Sequence, residues 1–139
     1  IDKYYKPELP LNLTKYLLKF ANSSIDVSDG LIDDLAKMIN RQSLSFHLFE
    51  NKIPVSNKLS NLIKKQRLNK INLISNGDDY QVLFTADINK ARIIQKASKT
   101  TGIKITKIGK IVSGKDRSLI FDEKGKQIRA KSKGYIHRF

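Results

Sequence analysis

The 139-residue sequence predicts an α+β domain, a mainly antiparallel mixed sheet with helices packed on it. Two patterns predict it. Apolar residues recur at helical spacing in several separate segments, and between them lie short alternating or β-branched runs. The last third reads as strand after strand, over 103–112, 119–121 and 127–130, with Gly114 and Gly125 in the two turns between them.

In chain order, residues 1–10 are an extended lead-in punctuated by Pro7 and Pro10. Asn12 or Thr14 can cap a helix running through Phe20, with Leu13, Tyr16, Leu17 and Phe20 on one face. Residues 24–27 form a short strand. Ser28 or Asp29 then caps a helix to about Asn40, with Leu31, Leu35 and Ile39 as its apolar stripe. Asp33 and Asp34 suit the positive end of its dipole. Leu44 to Phe49 alternates and is a strand. Pro54 lies in a loop before a helix over 57–66, and Asn76-Gly77 marks a turn before a strand over 80–85. A helix over 88–98 ends near Gly102, and Gly109 reads as a bend within the strand that follows. Residues 1–22 are expected as lead-in and first helix, and 23–139 as one α+β domain.

Composition narrows the function. There are no cysteines, which excludes a disulfide scaffold, Cys-ligated zinc, iron–sulfur clusters and thiol catalysis. The two histidines are far apart in sequence, which argues against a His-based metal site. No apolar run approaches the roughly 18 residues of a membrane span, so no membrane is expected as a partner. No signal segment opens the chain, and a cytoplasmic location is the expectation. The chain begins at Ile1 rather than Met, which reads as a piece of something longer.

The net charge of +14 favours anionic partners. The lysines are spread singly and in pairs, with no RRM, KH or helix–turn–helix signature, so a solvated basic surface is expected and no nucleic acid. The acids are clustered instead. Asp26, Asp29, Asp33 and Asp34 fall in nine residues free of Lys and Arg, and Asp78 and Asp79 are adjacent. In a chain this basic, such clusters point to divalent cations or a cationic ligand.

The segment Ser24-Ile25-Asp26-Val27-Ser28-Asp29-Gly30-Leu31 reads strand, turn, helix. Carboxylates are the hard oxygen ligands of Mg²⁺, and free amides at a helix start bind phosphate oxygens. Together they make the kit of phosphoryl transfer. The plainer reading makes Ser28 and Asp29 caps and Asp26 a turn acid. In Asn76-Gly77-Asp78-Asp79-Tyr80 one acid can face a cationic ligand while the other bonds its own turn, or both serve an Asx-rich turn. There is no GxxxxGK[ST] and no GxGxxG. His47 is expected at a strand rim, and the tail Gly134-Tyr135-Ile136-His137-Arg138-Phe139 can plug the core with its rings.

Taken together these segments resemble the C-terminal half of the thiamine-monophosphate kinase family. The matching pieces are Tyr5…Pro7…Pro10, the run from Ser24 to Leu31 with Asp34-Leu35 after it, Gly77-Asp78-Asp79-Tyr80-Gln81-Val82-Leu83-Phe84-Thr85, Ile108-Gly109-Lys110-Ile111 and the terminal run from Gly134. The order and spacing match from about Tyr4 to the end. The family is similar to aminoimidazole-ribonucleotide synthetase and selenophosphate synthetase, and the resemblance implies the C-terminal domain fold of that superfamily.

The resemblance further implies ATP-dependent phosphorylation of thiamine monophosphate to thiamine diphosphate with Mg²⁺. It makes Asp26 and Asp29 metal ligands, Ser28 an ATP contact, and Asp78 and Tyr135 contacts to thiamine monophosphate. No catalytic residue is assigned apart from the metal ligands. The family's N-terminal ATP/Mg domain is expected as a partner, and a homodimer is compatible with the resemblance. Asn76-Gly77 stands where the family has Gly-Gly, and Ile136 and Arg138 depart from its Gly-Tyr-Asp-His-Phe tail. Two other readings are a non-catalytic basic module for a phosphorylated ligand or nucleic acid, and a sister ATP-dependent synthetase of the superfamily.

Overall fold

The computed structural model describes residues 11–40, 42–74 and 81–128. Helix α1 (Leu11–Phe20) runs directly into strand β1 (Ala21–Val27). After a loop come α2 (Leu31–Met38), β2 (Leu44–Phe49), a 3-10 turn at Glu50–Lys52, α3 (Asn57–Gln66) and α4 (Lys70–Ile74). Strand β3 (Gln81–Ala86), a 3-10 turn at Ile88–Lys90 and α5 (Ala91–Thr101) follow, then β4 (Gly109–Ser113), β5 (Leu119–Phe121) and β6 (Gln127–Ile128). The expected α+β class holds.

The strands form two sheets. β1 and β3 pair antiparallel, from Ala21 opposite Ala86 to Val27 opposite Gln81, with an irregularity between Ala21 and Ser23. The second sheet has the order β4-β2-β5-β6. There β2 is antiparallel to β4 but parallel to β5, and β5 is antiparallel to β6. Two of this sheet's three pairings are antiparallel and one is parallel, so it is mixed and mainly antiparallel, and a short turn joins paired strands only at the β5–β6 hairpin.

The alternation of β2 buries Phe46 and Leu48, which meet Leu31, Leu35 and Ile39 from α2, Ile71 and Ile74 from α4, and Ile120 from β5. A second cluster joins α1 to α5: Leu13 and Phe20 pack with Ala97, Ile94 and Phe84. Phe20 and Phe84 set their ring centroids 5.2 Å apart. Burying such side chains contributes about 1.5–3 kcal/mol each, so these two clusters dominate the packing energy. His47 is half-buried, as expected of a rim residue, with its ring edge-on to Phe121 at 5.5 Å.

Several elements differ from expectation. Thr14 donates to the Leu11 carbonyl inside α1 and does not start the helix. Neither Ser28 nor Asp29 caps α2. The cap position belongs to Gly30, at φ 123°, ψ 147°, without a side-chain hydrogen bond, and the helix stops at Met38. Residues 102–108 are not strand. Ile103 and Ile105 alternate into the α1–α5 cluster and Ile108 into the main core, so their period serves packing rather than a ladder. Gly109 is no bend: it opens β4 opposite Leu48. α4 was not expected. Asn69 starts it by accepting from the Asn72 amide at 3.1 Å, and Lys70 turns back to donate to the carbonyls of Glu50 and Ile53 at 2.8 and 2.6 Å.

Candidate functional site: an acidic strand–loop–helix corner

The corner lies where β1 leaves its sheet and α2 begins. Ile25 and Val27 face inward while Ser24 and Asp26 alternate outward, so the strand period alone puts Asp26 in solvent. The chain then turns through Ser28, Asp29 and Gly30. Gly30 adopts a positive φ that only glycine takes readily, which lets the chain fold back into the helix.

What fixes this loop is Asp34, on the first turn of α2. Its carboxylate is only 1 % exposed. Oδ2 accepts three successive backbone amides, those of Ser28 at 2.9 Å, Asp29 at 2.9 Å and Gly30 at 3.3 Å. Oδ1 accepts from Lys37 Nζ at 2.9 Å, one turn further along the helix. Lys37 also contacts Asp29 Oδ2. Burial pushes the Asp34 carboxyl up. The Lys37 hydrogen bond, the Asp29 and Ser28 amides and the Lys37 charge outweigh that and hold it below the ordinary carboxylate value. Hydrogen bonds to Asp29 and then Asp34 push the Lys37 ammonium above the usual lysine range.

This corrects one sequence expectation. The amides of residues 28–30 are not free for phosphate oxygens, because the chain's own carboxylate fills them. Asp34 and Lys37 were also missing from the candidate residues. The spacing gave only a partial signal, because Asp33 and Asp34 stand four and three residues before Lys37 and either could pair with it.

Of the candidate residues, Asp26, Ser28 and Asp29 are brought to this one corner. Asp26 and Ser28 are exposed and Asp29 is half-buried against Lys37. Asp29, Asp33, Ala36, Lys37 and Asn40 line a shallow concavity beside it. Asp78 and Tyr135 lie outside the described residues, as do Asp79 and the rest of the tail. β3 begins at Gln81, opposite Val27, at the same end of the sheet as the loop over 28–30. Among the described residues no three acidic or histidine side chains converge as a metal cage. The donor set still fits Mg²⁺, which takes one or two carboxylates and completes its shell with water and phosphate oxygens. The Lys37 ammonium already stands at Asp29 as a cation would.

Fold and corner define a class: the α+β unit is that of the aminoimidazole-ribonucleotide synthetase-like fold. Within that class the chain is similar to the C-terminal part of thiamine-monophosphate kinase. The enzyme of Buchnera aphidicola from Acyrthosiphon pisum is 35% identical over 99% of this chain and 42% of its own length. That of Escherichia coli K12 is 28% identical over 99% of the chain and 42% of its own length. Among solved structures, the thiamine-monophosphate kinase of Stenotrophomonas maltophilia superposes with TM-score 0.72 and 26% identity, over 88% of this chain and 37% of that one. AaThiL complexed with AMPPCP and TMP gives TM-score 0.69 and 26% identity, over 97% and 40%. The chain thus spans about two fifths of the length of these relatives. No protein-family model matches it. No described helix is long and apolar enough to cross a membrane.

Proposed function

We propose that this chain is the C-terminal portion of a thiamine-monophosphate kinase, which transfers the γ-phosphoryl group of ATP to thiamine monophosphate. The observation that carries this reading is the match along 97% of the chain to a relative solved with AMPPCP and TMP together. In the reaction a phosphate oxygen of thiamine monophosphate bonds to the γ-phosphorus of ATP, the β–γ bridge breaks, and ADP leaves with thiamine diphosphate as product.

Such transfer depends on positioning and charge neutralisation more than on covalent chemistry. Mg²⁺, when bound, neutralises phosphate oxygens in this chemistry. Asp26 and Asp29 are the residues that would hold it, one from the strand end and one from the loop. Ser28 lies between them with its side chain in solvent, where its hydroxyl would contact ATP. Asp34 fixes Ser28 and Asp29 by tying down the loop amides, while the strand pairing fixes Asp26. Thiamine carries a fixed positive charge and an aminopyrimidine donor, and in this reading Asp78 attracts the one or accepts from the other while Tyr135 stacks on the cationic ring.

Residues 23–139 would act as one α+β domain beside an N-terminal ATP/Mg domain contributed by the longer protein, which would work in the cytoplasm and allow a homodimer. The test is an assay of the polypeptide carrying this sequence, expressed with the coding sequence that adjoins it. Incubated with ATP, Mg²⁺ and thiamine monophosphate, it should form ADP and thiamine diphosphate in equal amounts. A folded protein that binds neither ligand and forms no product overturns the reading.

A further inference from the structure

Asp29 is one of the two carboxylates assigned above to Mg²⁺, yet a cation of the chain's own already sits on it. Lys37 Nζ contacts Asp29 Oδ2 and lies 2.9 Å from Asp34 Oδ1. The two carboxylates are not equivalent. Asp34 is 1 % exposed and pinned by three backbone amides, so it anchors the ammonium. Asp29 is 31 % exposed and Lys37 50 %, and both border the same shallow concavity, so an ion from solvent can reach either. The lysine is therefore held at one end by a fixed acid and offered at the other to an accessible one.

We propose that Lys37 is a resident counter-cation that competes with the divalent cation for Asp29. When the ion binds, the ammonium gives up Asp29 and keeps Asp34, so the loop stays folded while its charge is exchanged. With the ion absent, Lys37 neutralises Asp29. The proposal rests on the reading of Asp29 as a Mg²⁺ ligand. A divalent ion about 5 Å from an ammonium in water-like surroundings is repelled enough to weaken its binding roughly tenfold. Removing the lysine charge should return that factor.

The experiment is a Mn²⁺ titration of the 139-residue chain, read as paramagnetic broadening of the backbone amide signals of residues 28–30, which detects even weak binding. Lys37→Gln should tighten Mn²⁺ about tenfold. Lys37→Arg, which keeps the charge, should bind as the wild type does, and Asp29→Asn should abolish the local broadening. Unchanged hydrogen-exchange protection of the three amides in Lys37→Gln would show Asp34 still seated. If Asp29→Asn abolishes broadening while Lys37→Gln leaves affinity unchanged or weaker, the competition is overturned and the Asp29 assignment stands. If Asp29→Asn has no effect, or no variant is broadened, the assignment fails and the competition falls with it.

Discussion

Asp34 Oδ2 sits 2.9 Å from the backbone nitrogen of Ser28, six residues earlier and across the turn into α2. The same oxygen takes the next two amides, so one buried side chain sets the path of the loop carrying Ser28 and Asp29. A row of amides of this kind would otherwise attract an anion. Here the anion is built in, and the loop owes its shape to it.

Replacing Asp34 by Ala leaves three amides without their acceptor and Lys37 without its anchor. A buried donor left unpaired costs about 1–3 kcal/mol, and the set should cost roughly 3 kcal/mol in urea unfolding. Asp34→Asn keeps an acceptor oxygen and should cost less. A loss below about 1 kcal/mol for the Ala variant would show that the loop is held by other contacts.

The pH dependence follows from the same residue. The Asp34 carboxyl is lowered in the folded chain from its ordinary 3.8. The unfolded state therefore takes up the proton first as pH falls. The stability this carboxylate contributes is full above its ordinary value and is lost as pH falls through its lower folded value. Chemical denaturation at steps from pH 6 down to 2 should show that limb, and Asp34→Asn should flatten it. Equal slopes in the two proteins would remove Asp34 from the account.

Two glycines should respond differently to alanine. A Cβ on Gly109 would lie 2.3 Å from the His47 carbonyl oxygen, a backbone atom of the paired strand that cannot move alone. Gly102 ends α5 at φ +71° with nothing within 4 Å, so alanine there meets only backbone strain. Gly102→Ala should cost about 1 kcal/mol, and Gly109→Ala should cost more, roughly 2–4 kcal/mol, because it parts β2 from β4. Thermal unfolding that ranks them in the opposite order would contradict this.

The contrast between these positions shows what the sequence could convey. Helix 57–66 and strand 44–49 were legible to the residue because each has its own period and a clear stop, and strand 119–121 because it is an apolar run bounded by turns. The period of 103–108 was equally clear but misled, since alternating isoleucines pack against helices as readily as they line a sheet. The five residues of α4 are too few to show a period. At the candidate site, Asp26, Ser28 and Asp29 were legible as a group, while the role of Asp34 was not. Asp33 and Asp34 are the same residue type at neighbouring positions, and only tertiary packing decides which turns under the loop. Gly109 looked like a local bend because its cause, the approach of His47, comes from 62 residues away.

The last prediction concerns the chain in isolation. Its two hydrophobic clusters bring together buried side chains of described residues from α1 through β5. That is enough apolar packing for the 139 residues to unfold cooperatively. The chemistry is different. The corner brings Asp26, Ser28 and Asp29 together, but no third acid converges among the described residues, and the loop amides that could have held phosphate are taken by Asp34. The relatives that carry the activity are more than twice as long as the matched region. The isolated chain should therefore show a sigmoidal urea transition together with no turnover of ATP and thiamine monophosphate in the presence of Mg²⁺. Both halves can be read on one sample, by circular dichroism and by ADP release. Turnover at an ordinary enzymatic rate, about 1 s⁻¹ or faster, would mean that this chain holds a whole phosphoryl-transfer site. A structureless chain would mean that these clusters need the longer protein in order to form.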